Sequence, residues 1–465
     1  MVVGRRNADY QAFSKKLRQK LEEEDDMISQ LPDPLICQIL YHLPTKEAVK
    51  TSVLSTRWRN LWLSVHSVDL SSWDFQNLND FVSFSDSLFD YNRVSCIHRV
   101  KLSIEERVKA GLDVVSYVKS WIDSGVKHKI QHLHVRCPPE FCYELPPSLY
   151  ICDTLVILEL YKMNMVNAEF VSLPRLKTLT LEDCWYSNES TFERLVSSCP
   201  VLEELKVDIA WNDTKVFKVK SKSLKRLGLV RVSPFKFDFV SGVVVDAPLL
   251  CDLSINDHVS ESFSVNSLRS NAKLDVSMYF GLRCFDEESV SSRRNSIRSF
   301  LLGVSSVREM IICPRTFKII YEYSKLEPLP RFDCVSRLCV TLCVTNLEWL
   351  STFLESCPNL KALILDWNGN AKKMPINKMS GISFASVPKC LLSSLEFVDV
   401  KSTIFGYAVE MKVVRYLLEN SRILKKLTLY LHYHAIQDDF VMRLREIKRG
   451  SDECRVVFNG LVKTV

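Results

Sequence analysis

The sequence has only 12 glycines in 465 residues, and the short motifs of common catalytic and metal sites are missing from it. Neither Gly-x-x-x-x-Gly-Lys-[Ser/Thr] nor Gly-x-Gly-x-x-Gly occurs, so no glycine-rich loop for nucleotide phosphates is predicted. His-Glu-x-x-His and Cys-x-x-Cys are also missing, which argues against a zinc protease and against a zinc ribbon. We therefore expect a chain without catalytic residues, without a cofactor and without a bound metal.

A strong charge of one sign and a long apolar run are lacking too. The 61 basic and 55 acidic residues give a net charge of +6, whereas nucleic-acid-binding proteins usually carry a concentrated basic face. No apolar stretch approaches the ~20 residues of a membrane helix, and Met1–Leu21 is polar and basic, unlike a secretory leader. The 16 cysteines are therefore predicted to be reduced. We expect a cytoplasmic and/or nuclear protein that binds neither nucleic acid nor membranes.

Residues 27–64 follow a charged extension over residues 1–26. Residues that typically start or stop helices divide this segment into three predicted short helices. The residues predicted to begin these helices are Asp33 with Pro34, Thr45 and Ser55. The apolar stripe of the first helix consists of Leu35, Ile36, Ile39, Leu40 and Leu43. Domains below ~40 residues usually need outside support, so this unit has more apolar surface than it can bury alone. Part of the stripe is predicted to be a protein interface, and the alternative is that it packs on the domain that follows.

From Val65 onward the chain repeats the pattern Φ-x-x-Φ-x-Φ, in which Φ is an apolar residue. The copies begin at Val65, Ile97, Ile130, Leu155, Leu176, Leu202, Leu224, Leu250, Val307, Val335, Leu360, Leu395 and Leu424. From Leu155 to Leu250 the steps are 21, 26, 22 and 26 residues, the length of one leucine-rich repeat. Between Leu250 and Val307 the pattern is lost or degenerate. We predict a leucine-rich-repeat solenoid over residues 65–379, in which each repeat contributes one strand and one short helix.

Alternation along each predicted strand points the residues between the buried leucines toward a shared outer face. At the N-terminal end of the repeats these outward residues are Arg99, Lys101, His132, His134 and Arg136. Because arginine can hold oxyanions through two hydrogen bonds, we predict a substrate face for an anionic group here. The alternative is a solvated surface of mixed charge. His132 and His134 could bind a metal as a pair, but no third ligand is recognisable.

Three cysteines, Cys334, Cys339 and Cys343, lie close together in an apolar, strand-like run. We predict core thiols there in preference to metal ligands, because free cysteine is usually buried and inert. Cys199 is the candidate nucleophile if the chain is a thiol-dependent hydrolase. Cys357 recurs in the same Ser-Cys-Pro-x-Leu-x-x-Leu phrase, as a packing residue would, and this disfavours the enzyme.

Motifs at both ends of the chain carry a resemblance to a known family. Leu31-Pro-Asp-Pro-Leu-Ile-Cys-Gln-Ile-Leu40 resembles the start of an F-box, and Val53-Leu-Ser-Thr-Arg-Trp58 resembles its continuation in large plant families. Residues 380–455, with Val387-Pro-Lys-Cys-Leu391, are similar to the FBD module of plant F-box/FBD/leucine-rich-repeat proteins. The resemblance implies an α/β fold, in which a three-helix F-box over 27–64 precedes a curved leucine-rich-repeat solenoid and an FBD-like extension.

In that family the F-box docks on a Skp-type adaptor, which leads to a cullin scaffold and a RING subunit. The positions that the resemblance implies as adaptor contacts are Leu31, Pro32, Leu35, Ile39, Leu43, Val53 and Trp58. It further implies a non-catalytic, substrate-recognition subunit of a Skp–cullin–F-box ubiquitin ligase, whose repeats recruit a target protein. The alternative is an interaction scaffold that binds the adaptor without ubiquitin transfer. The sequence identifies neither the substrate nor any need for a small ligand or for substrate phosphorylation.

Overall fold

The structure, a computed structural model, describes residues 28, 30–89, 97–105, 114–138, 143–165, 168–186, 189–208, 216–232, 242–266, 268–343, 347, 349–368, 384, 386–405, 407–432 and 440–462. The chain forms two compact units, Met1–Phe141 and Cys142–Val465. The predicted N-terminal extension over 1–26 lies outside the described residues.

The predicted F-box begins the first unit. Its elements are helix α1 (Asp33–Tyr41), helix α2 (Thr45–Lys50) and the 3-10 turns Thr51–Val53 and Trp58–Ser64. The third predicted helix is therefore 3-10 and not α. Ser55 was predicted to cap this helix, but the cap position is Arg57; Ser55 Oγ still accepts a hydrogen bond from the backbone amide of Trp58 at 3.4 Å.

The predicted caps of the first two helices are wrong. Asp33 is already the first helical residue, and its carboxylate accepts a hydrogen bond from Arg57 at 2.8 Å. Thr45 is likewise the first helical residue of α2, after Pro44 at the cap position, and its Oγ1 accepts a hydrogen bond from the backbone amide of Asp69 at 2.8 Å. Both side chains thus connect pieces of chain that are 24 residues apart. Local sequence cannot show such a tertiary bond.

The rest of the first unit alternates strands with helices. Its elements are β1 (Ser67–Ser71), α3 (Leu78–Phe89), β2 (Arg99–Ser103), α4 (Val114–Lys127) and β3 (His132–Arg136). The strands are parallel, with β2 between β1 and β3. Trp121 of α4 is buried between the helices, edge-on to Phe81 at 5.5 Å between ring centroids. Its indole nitrogen donates a hydrogen bond to Asp86 at 2.7 Å, so the polar end of the ring is satisfied.

A small apolar core joins the F-box helices to the start of the strands. Its buried residues are Ile36, Leu40, Ala48, Trp58 and Val65. Because Thr45 also binds the backbone of β1, the F-box is attached to the outermost of the three strands. The inner side of α1 therefore packs mainly within the F-box itself, and Val65 is the buried member of this core that the following repeats contribute.

The second unit is a long series of strands with helices between some of them. In chain order the strands are β4 (Ile157–Tyr161), β5 (Asn164–Met165), β6 (Thr178–Glu182), β7 (Trp185–Tyr186), β8 (Glu204–Asp208), β9 (Val216–Lys220), β10 (Arg226–Arg231), β11 (Gly242–Asp246), β12 (Asp252–Asp257), β13 (Phe263–Asn266), β14 (Lys273–Met278), β15 (Glu309–Ile312), β16 (Arg337–Cys343), β17 (Ala362–Asn368), β18 (Phe397–Ile404), β19 (Lys426–His432) and β20 (Arg455–Val462). The helices are α5 (Glu189–Ser197), α6 (Glu287–Ser292), α7 (Arg294–Gly303), α8 (Pro314–Leu326), α9 (Trp349–Glu355), α10 (Lys389–Ser393), α11 (Ala408–Asn420) and α12 (Phe440–Glu446).

The main sheet of this unit is parallel, in the order β4-β6-β8-β10-β12-β14-β15-β16-β17-β18-β19-β20. The apolar pattern is in register from strand to strand, since Leu158 lies opposite Leu179, which lies opposite Leu205. All three are buried. The predicted α/β repeat architecture is therefore confirmed, with one stack of inward leucines shared by neighbouring repeats.

The pattern between Leu250 and Val307 is degenerate, one of the two predicted alternatives, but the ladder of strands is not interrupted there. Strand β14 continues the ladder there, and its Leu274 lies between Leu253 of β12 and Met310 of β15. The polar residue Asn271 occupies the first apolar position of this copy, so the three-point pattern misses it. Two inward residues are enough to keep a strand in the sheet when its neighbours supply the rest of the core.

The repeats in the middle of this unit have a second strand where a helix was expected. Strands β9, β11 and β13 pair in parallel as a separate sheet with β11 at its centre. The buried residues of this sheet include Phe217, Val219, Val243, Val245, Phe263 and Val265. Alternating β-branched and aromatic residues favour strands over helices. Gly242 allows the close approach of β13, because a Cβ there would lie 2.8 Å from the carbonyl oxygen of Ser262.

The C-terminal region adds further strand and helix units to the same sheet. Strands β18, β19 and β20 are consecutive neighbours, and α11 lies between the first two in the chain. Helix α11 begins with a capping box, in which the backbone amide of Tyr407 donates to Glu410 at 2.9 Å. Strand β20 was not predicted, because its apolar residues are consecutive and do not alternate. No helix in the described part of the chain combines the length and the apolarity that a membrane crossing requires.

Candidate functional site: protein-interaction surfaces

One side of helix α1 is apolar yet exposed. Leu35 and Ile39 lie one turn apart and are 46% and 47% exposed. Ile36 and Leu40 are buried in the F-box core. The wide apolar stripe therefore divides into an inner half that supports the fold and an outer half that faces solvent.

The 3-10 turn after α2 carries two more exposed apolar side chains. Val53 is 87% exposed and Leu54, which the sequence analysis missed, is 65% exposed. Shortly after the turn, Arg57 forms an ion pair with Asp33 at 2.6 Å and donates a hydrogen bond to the carbonyl oxygen of Leu31. The chain that follows the turn is thus connected to the start of α1.

The other predicted adaptor contacts differ in burial. Pro32 is exposed, whereas Leu31 and Leu43 are half-buried and pack against the F-box core. Trp58 is only 6% exposed and belongs to that core. Its side chain therefore supports the F-box from within, and a direct adaptor contact stays a prediction for the exposed and half-buried residues.

The outward residues of β2 and β3 form neighbouring pairs, as predicted for the basic face. Arg99 lies opposite His132, and Lys101 lies opposite His134. Lys101 is also 3.2 Å from the carboxylate of Asp69 on β1. Sequence reasoning overlooked this carboxylate, although the first copy of the pattern puts Asp69 between two inward residues. The face is therefore less basic than predicted, and the remaining predicted residue, Arg136, is exposed at the end of β3.

Outward charged residues of the second unit pair across neighbouring strands. Arg226 is 2.7 Å from Glu204, and Arg337 is 3.2 Å from Glu309. These side chains are partly exposed, so each pair contributes about 0–1 kcal/mol to stability. Their main effect is to neutralise much of the charge on this face.

Models of three kinds of domain match parts of the chain. An F-box domain model matches residues 28–69, a model described as "FBD-associated F-box protein At5g56370, LRR repeats" matches residues 118–276, and an FBD model matches residues 383–429. The chain is 54% identical to the putative FBD-associated F-box protein At5g53635 of Arabidopsis thaliana over 93% of this chain and 100% of the relative. It is also 54% identical to the putative F-box/FBD/LRR-repeat protein At2g05300 of that plant, over 96% of this chain and 99% of the relative. The chain belongs to the F-box/FBD/LRR-repeat family.

The domain matches of this F-box/FBD/LRR-repeat chain can be placed on its elements. The F-box match covers α1, α2 and both 3-10 turns and ends within β1, so it includes the attachment of the F-box to the first strand. The FBD match covers α10, β18 and α11 and ends within β19, so the FBD is part of the parallel sheet. A more distant family member, the F-box/FBD/LRR-repeat protein At1g78750 of Arabidopsis thaliana, is 40% identical over 96% of this chain and 99% of the relative.

The two cysteines of the repeated Ser-Cys-Pro phrase are buried. Burial raises the pKa of the Cys199 thiol to about 12 and raises that of Cys357 as well. A neutral buried thiol is a poor nucleophile, because the thiolate is the reactive form. These positions fit the predicted packing role and not a thiol-dependent hydrolase.

Cys334, Cys339 and Cys343 were predicted to be core thiols, and this prediction is wrong for the first two. Cys334 is exposed, and Cys339 is half-buried on the outward side of β16, between the inward residues Leu338 and Val340. The side chain of Cys343 lies outside the described residues. The described residues contain no group of three or more His, Cys, Asp or Glu side chains that could hold a metal ion.

Serine substitution should distinguish the two buried thiols of the repeats. Cys199 Sγ donates to the carbonyl oxygen of Leu195 at 3.1 Å, and a serine hydroxyl can keep that bond. Cys357 has no such bond among the described residues, so Cys357→Ser buries an unsatisfied hydroxyl and is expected to cost about 1–3 kcal/mol of unfolding free energy. We expect a clearly larger drop in melting temperature for Cys357→Ser than for Cys199→Ser in thermal unfolding. Equal stability of both variants and the wild type, with loss of a binding function, would instead indicate a functional thiol.

Proposed function

We propose that this F-box/FBD/LRR-repeat chain is a non-catalytic, substrate-recruiting subunit of a Skp–cullin–F-box ubiquitin ligase. The observation that carries the proposal is the outer side of α1, where Leu35 and Ile39 stay exposed although the F-box has a core of its own. A few buried apolar anchors usually supply most of the binding energy of a protein interface. F-box domains generally bind Skp-type adaptors, and such an adaptor would connect this chain to a cullin scaffold.

In this proposal the repeats hold the target protein while a separate ubiquitin-carrying enzyme does the chemistry. Holding two reactants on one assembly raises their effective concentration and replaces an encounter in solution. The hydrogen bond between Thr45 and the backbone of Asp69 supports such a role, because it attaches the F-box directly to the first strand of the repeats. A ligase subunit of this kind works in the cytoplasm, the nucleus or both, and this location is part of the proposal.

Reconstitution with purified partners tests the proposed function. The full-length chain should co-elute with a Skp-type adaptor, a cullin and a RING subunit in size-exclusion chromatography. In cells with the proteasome blocked, proteins captured by the repeats should carry ubiquitin that depends on the adaptor. A chain that binds the adaptor but brings no cullin and no ubiquitin to its captured proteins would be an interaction scaffold and would contradict the proposal.

The basic face of the first unit is a proposed contact for an anionic group of the target. We expect an Arg99→Ala, Arg136→Ala variant to capture less of such a target, and added salt to weaken capture by the wild type, since exposed charges are screened within ~8 Å at physiological ionic strength. Lys101 should matter less because it already pairs with Asp69. Quantitative co-precipitation measures both effects, and adaptor binding is the control. Capture that responds neither to the substitutions nor to salt would remove this face from consideration.

A further inference from the structure

The outward face of strands β14 to β18 carries a row of side chains with no assigned role. At one register position, successive strands hold Asp275, Ile311, Cys339, Ile364 and Asp399. The row therefore has an apolar centre of three residues and a carboxylate at each end. On the preceding strands the same position holds Ser254 and Gly228, so the apolar centre is confined to β15, β16 and β17.

The three side chains at the centre of the row are also partly shielded from water. Ile311, Cys339 and Ile364 are half-buried by their neighbours on the sheet. Burial raises the pKa of the Cys339 thiol, against an opposing effect of Arg337, so the thiol is neutral at physiological pH. A partner gains by covering such a surface with an apolar side chain, because apolar area is then removed from water.

Carboxylates lie beside this apolar centre, and two of them form no ion pair among the described residues. Among the described residues, neither Asp275 nor Asp366 forms an ion pair, and Asp366 only accepts a hydrogen bond from the hydroxyl of Ser402 at 2.5 Å. Asp399 shares its charge with Lys401 at 2.8 Å. Burial raises the pKa of the Asp275 carboxyl although the charge of Lys273 on the same strand opposes this shift, so the ionised form is poorly solvated and a further cation would stabilise it. The chemistry of the row is thus complementary to an apolar residue accompanied by a basic one.

We propose that this row, Asp275 to Asp399, binds an extended segment of the target protein that carries an apolar residue with a lysine or arginine about three residues away. Adjacent strands lie roughly 4.8 Å apart, so Asp275 is roughly 10 Å from the register position of Cys339. An extended chain that rises roughly 3.3 Å per residue covers that distance in about three residues. The inference rests on the proposed recruiting function, because it names the chemistry of the recruited segment.

Selection of short random peptides on phage against the full-length chain tests the inference. The enriched peptides should share an aliphatic or aromatic residue with a lysine or arginine about three positions away. Enrichment of acidic peptides, of apolar peptides without a basic residue, or of no common sequence would overturn the inference. One enriched peptide is then synthesised and titrated against the wild type and against variants of the row.

Variants of the row separate the apolar contact from the charged one. Ile364→Glu should lower the affinity for the synthetic peptide by at least about tenfold, and Ile311→Ser, which adds no charge, by a smaller factor. The double variant Asp275→Asn, Asp366→Asn removes one carboxylate of the row and the carboxylate beside it on β17; it should lower the affinity about tenfold and remove most of its salt dependence, because the charged contact is lost. Glu182→Gln is the matched control, since Glu182 is an exposed carboxylate of β6 in the same sheet but well outside the row. Equal affinity of the wild type and all the row variants would place the peptide elsewhere and overturn the inference.

Adaptor binding and peptide binding, measured on the same protein samples, distinguish failure of this inference from failure of the proposed function. If the chain does not co-elute with the adaptor and the cullin but binds the selected peptide through the row, the ligase proposal fails and the row remains a binding site. If the chain assembles with the adaptor and the cullin but the row variants bind the peptide like the wild type, the inference fails and the proposed function stands.

Discussion

Replacing Leu35 and Ile39 together by alanine is expected to abolish binding of a Skp-type adaptor without unfolding the chain. Both side chains are about half exposed, and the core residues of α1 lie on its other side, so truncation removes little buried surface. As central anchors of an interface they should contribute about 2 kcal/mol or more of binding free energy. Such a loss lowers the affinity at least ~30-fold, which isothermal titration with the purified adaptor would measure.

The matched control is Leu302→Ala, because Leu302 is an exposed leucine on a helix of the second unit with 55% of its surface accessible. Both variants should keep the circular dichroism spectrum and the melting temperature of the wild type, and only the double variant should lose the adaptor. Undiminished adaptor binding by the Leu35→Ala, Ile39→Ala chain would contradict the proposal that the outer side of α1 is the docking surface.

The strands of the repeats could be predicted because their inward positions obey a simple rule. Where all three apolar positions are filled, as in the copy that begins at Leu155, the pattern and the strand coincide. Strand β14 fills only two positions, since Asn271 stands at the first, and stacking on neighbouring strands keeps it in the sheet. The second sheet was missed for another reason: repeat length does not reveal whether the returning segment is a helix or a strand. Its alternating apolar residues, such as Phe217 and Val219 in Val216-Phe-Lys-Val-Lys220, were the available signal.

The sequence predicts that the candidate interface lies on helix α1, but it does not predict which side of that helix is exposed. Leu35 and Ile36 are adjacent aliphatic residues, yet one is 46% exposed and the other is buried. When a stripe is apolar on more than one side, the helical period cannot say which side meets the core. That choice depends on contacts made by distant residues, including Trp58 and Val65. The hydrogen bond between Thr45 and the next strand belongs to the same class of tertiary contact.

Trp58→Ala is expected to remove adaptor binding by a different route, which is loss of the F-box fold. Trp58 is 6% exposed and packs in a small core with Ile36, Leu40, Ala48 and Val65. Truncating a buried tryptophan typically costs about 3–5 kcal/mol, because the transfer energy is lost and a cavity remains. With so few core residues to compensate, the F-box should unfold locally while the repeats of the second unit stay folded.

Hydrogen exchange separates this route from direct loss of contact. In the Trp58→Ala chain the backbone amides of α1 should lose protection together with adaptor binding, whereas in the Leu35→Ala, Ile39→Ala chain they should keep it. Trp73→Ala is the matched control, because Trp73 belongs to the same unit but is 54% exposed, and it should preserve both protection and binding. If Trp58→Ala leaves α1 protected and still loses the adaptor, then Trp58 contacts the adaptor directly, and its buried position in the unbound chain must change on binding.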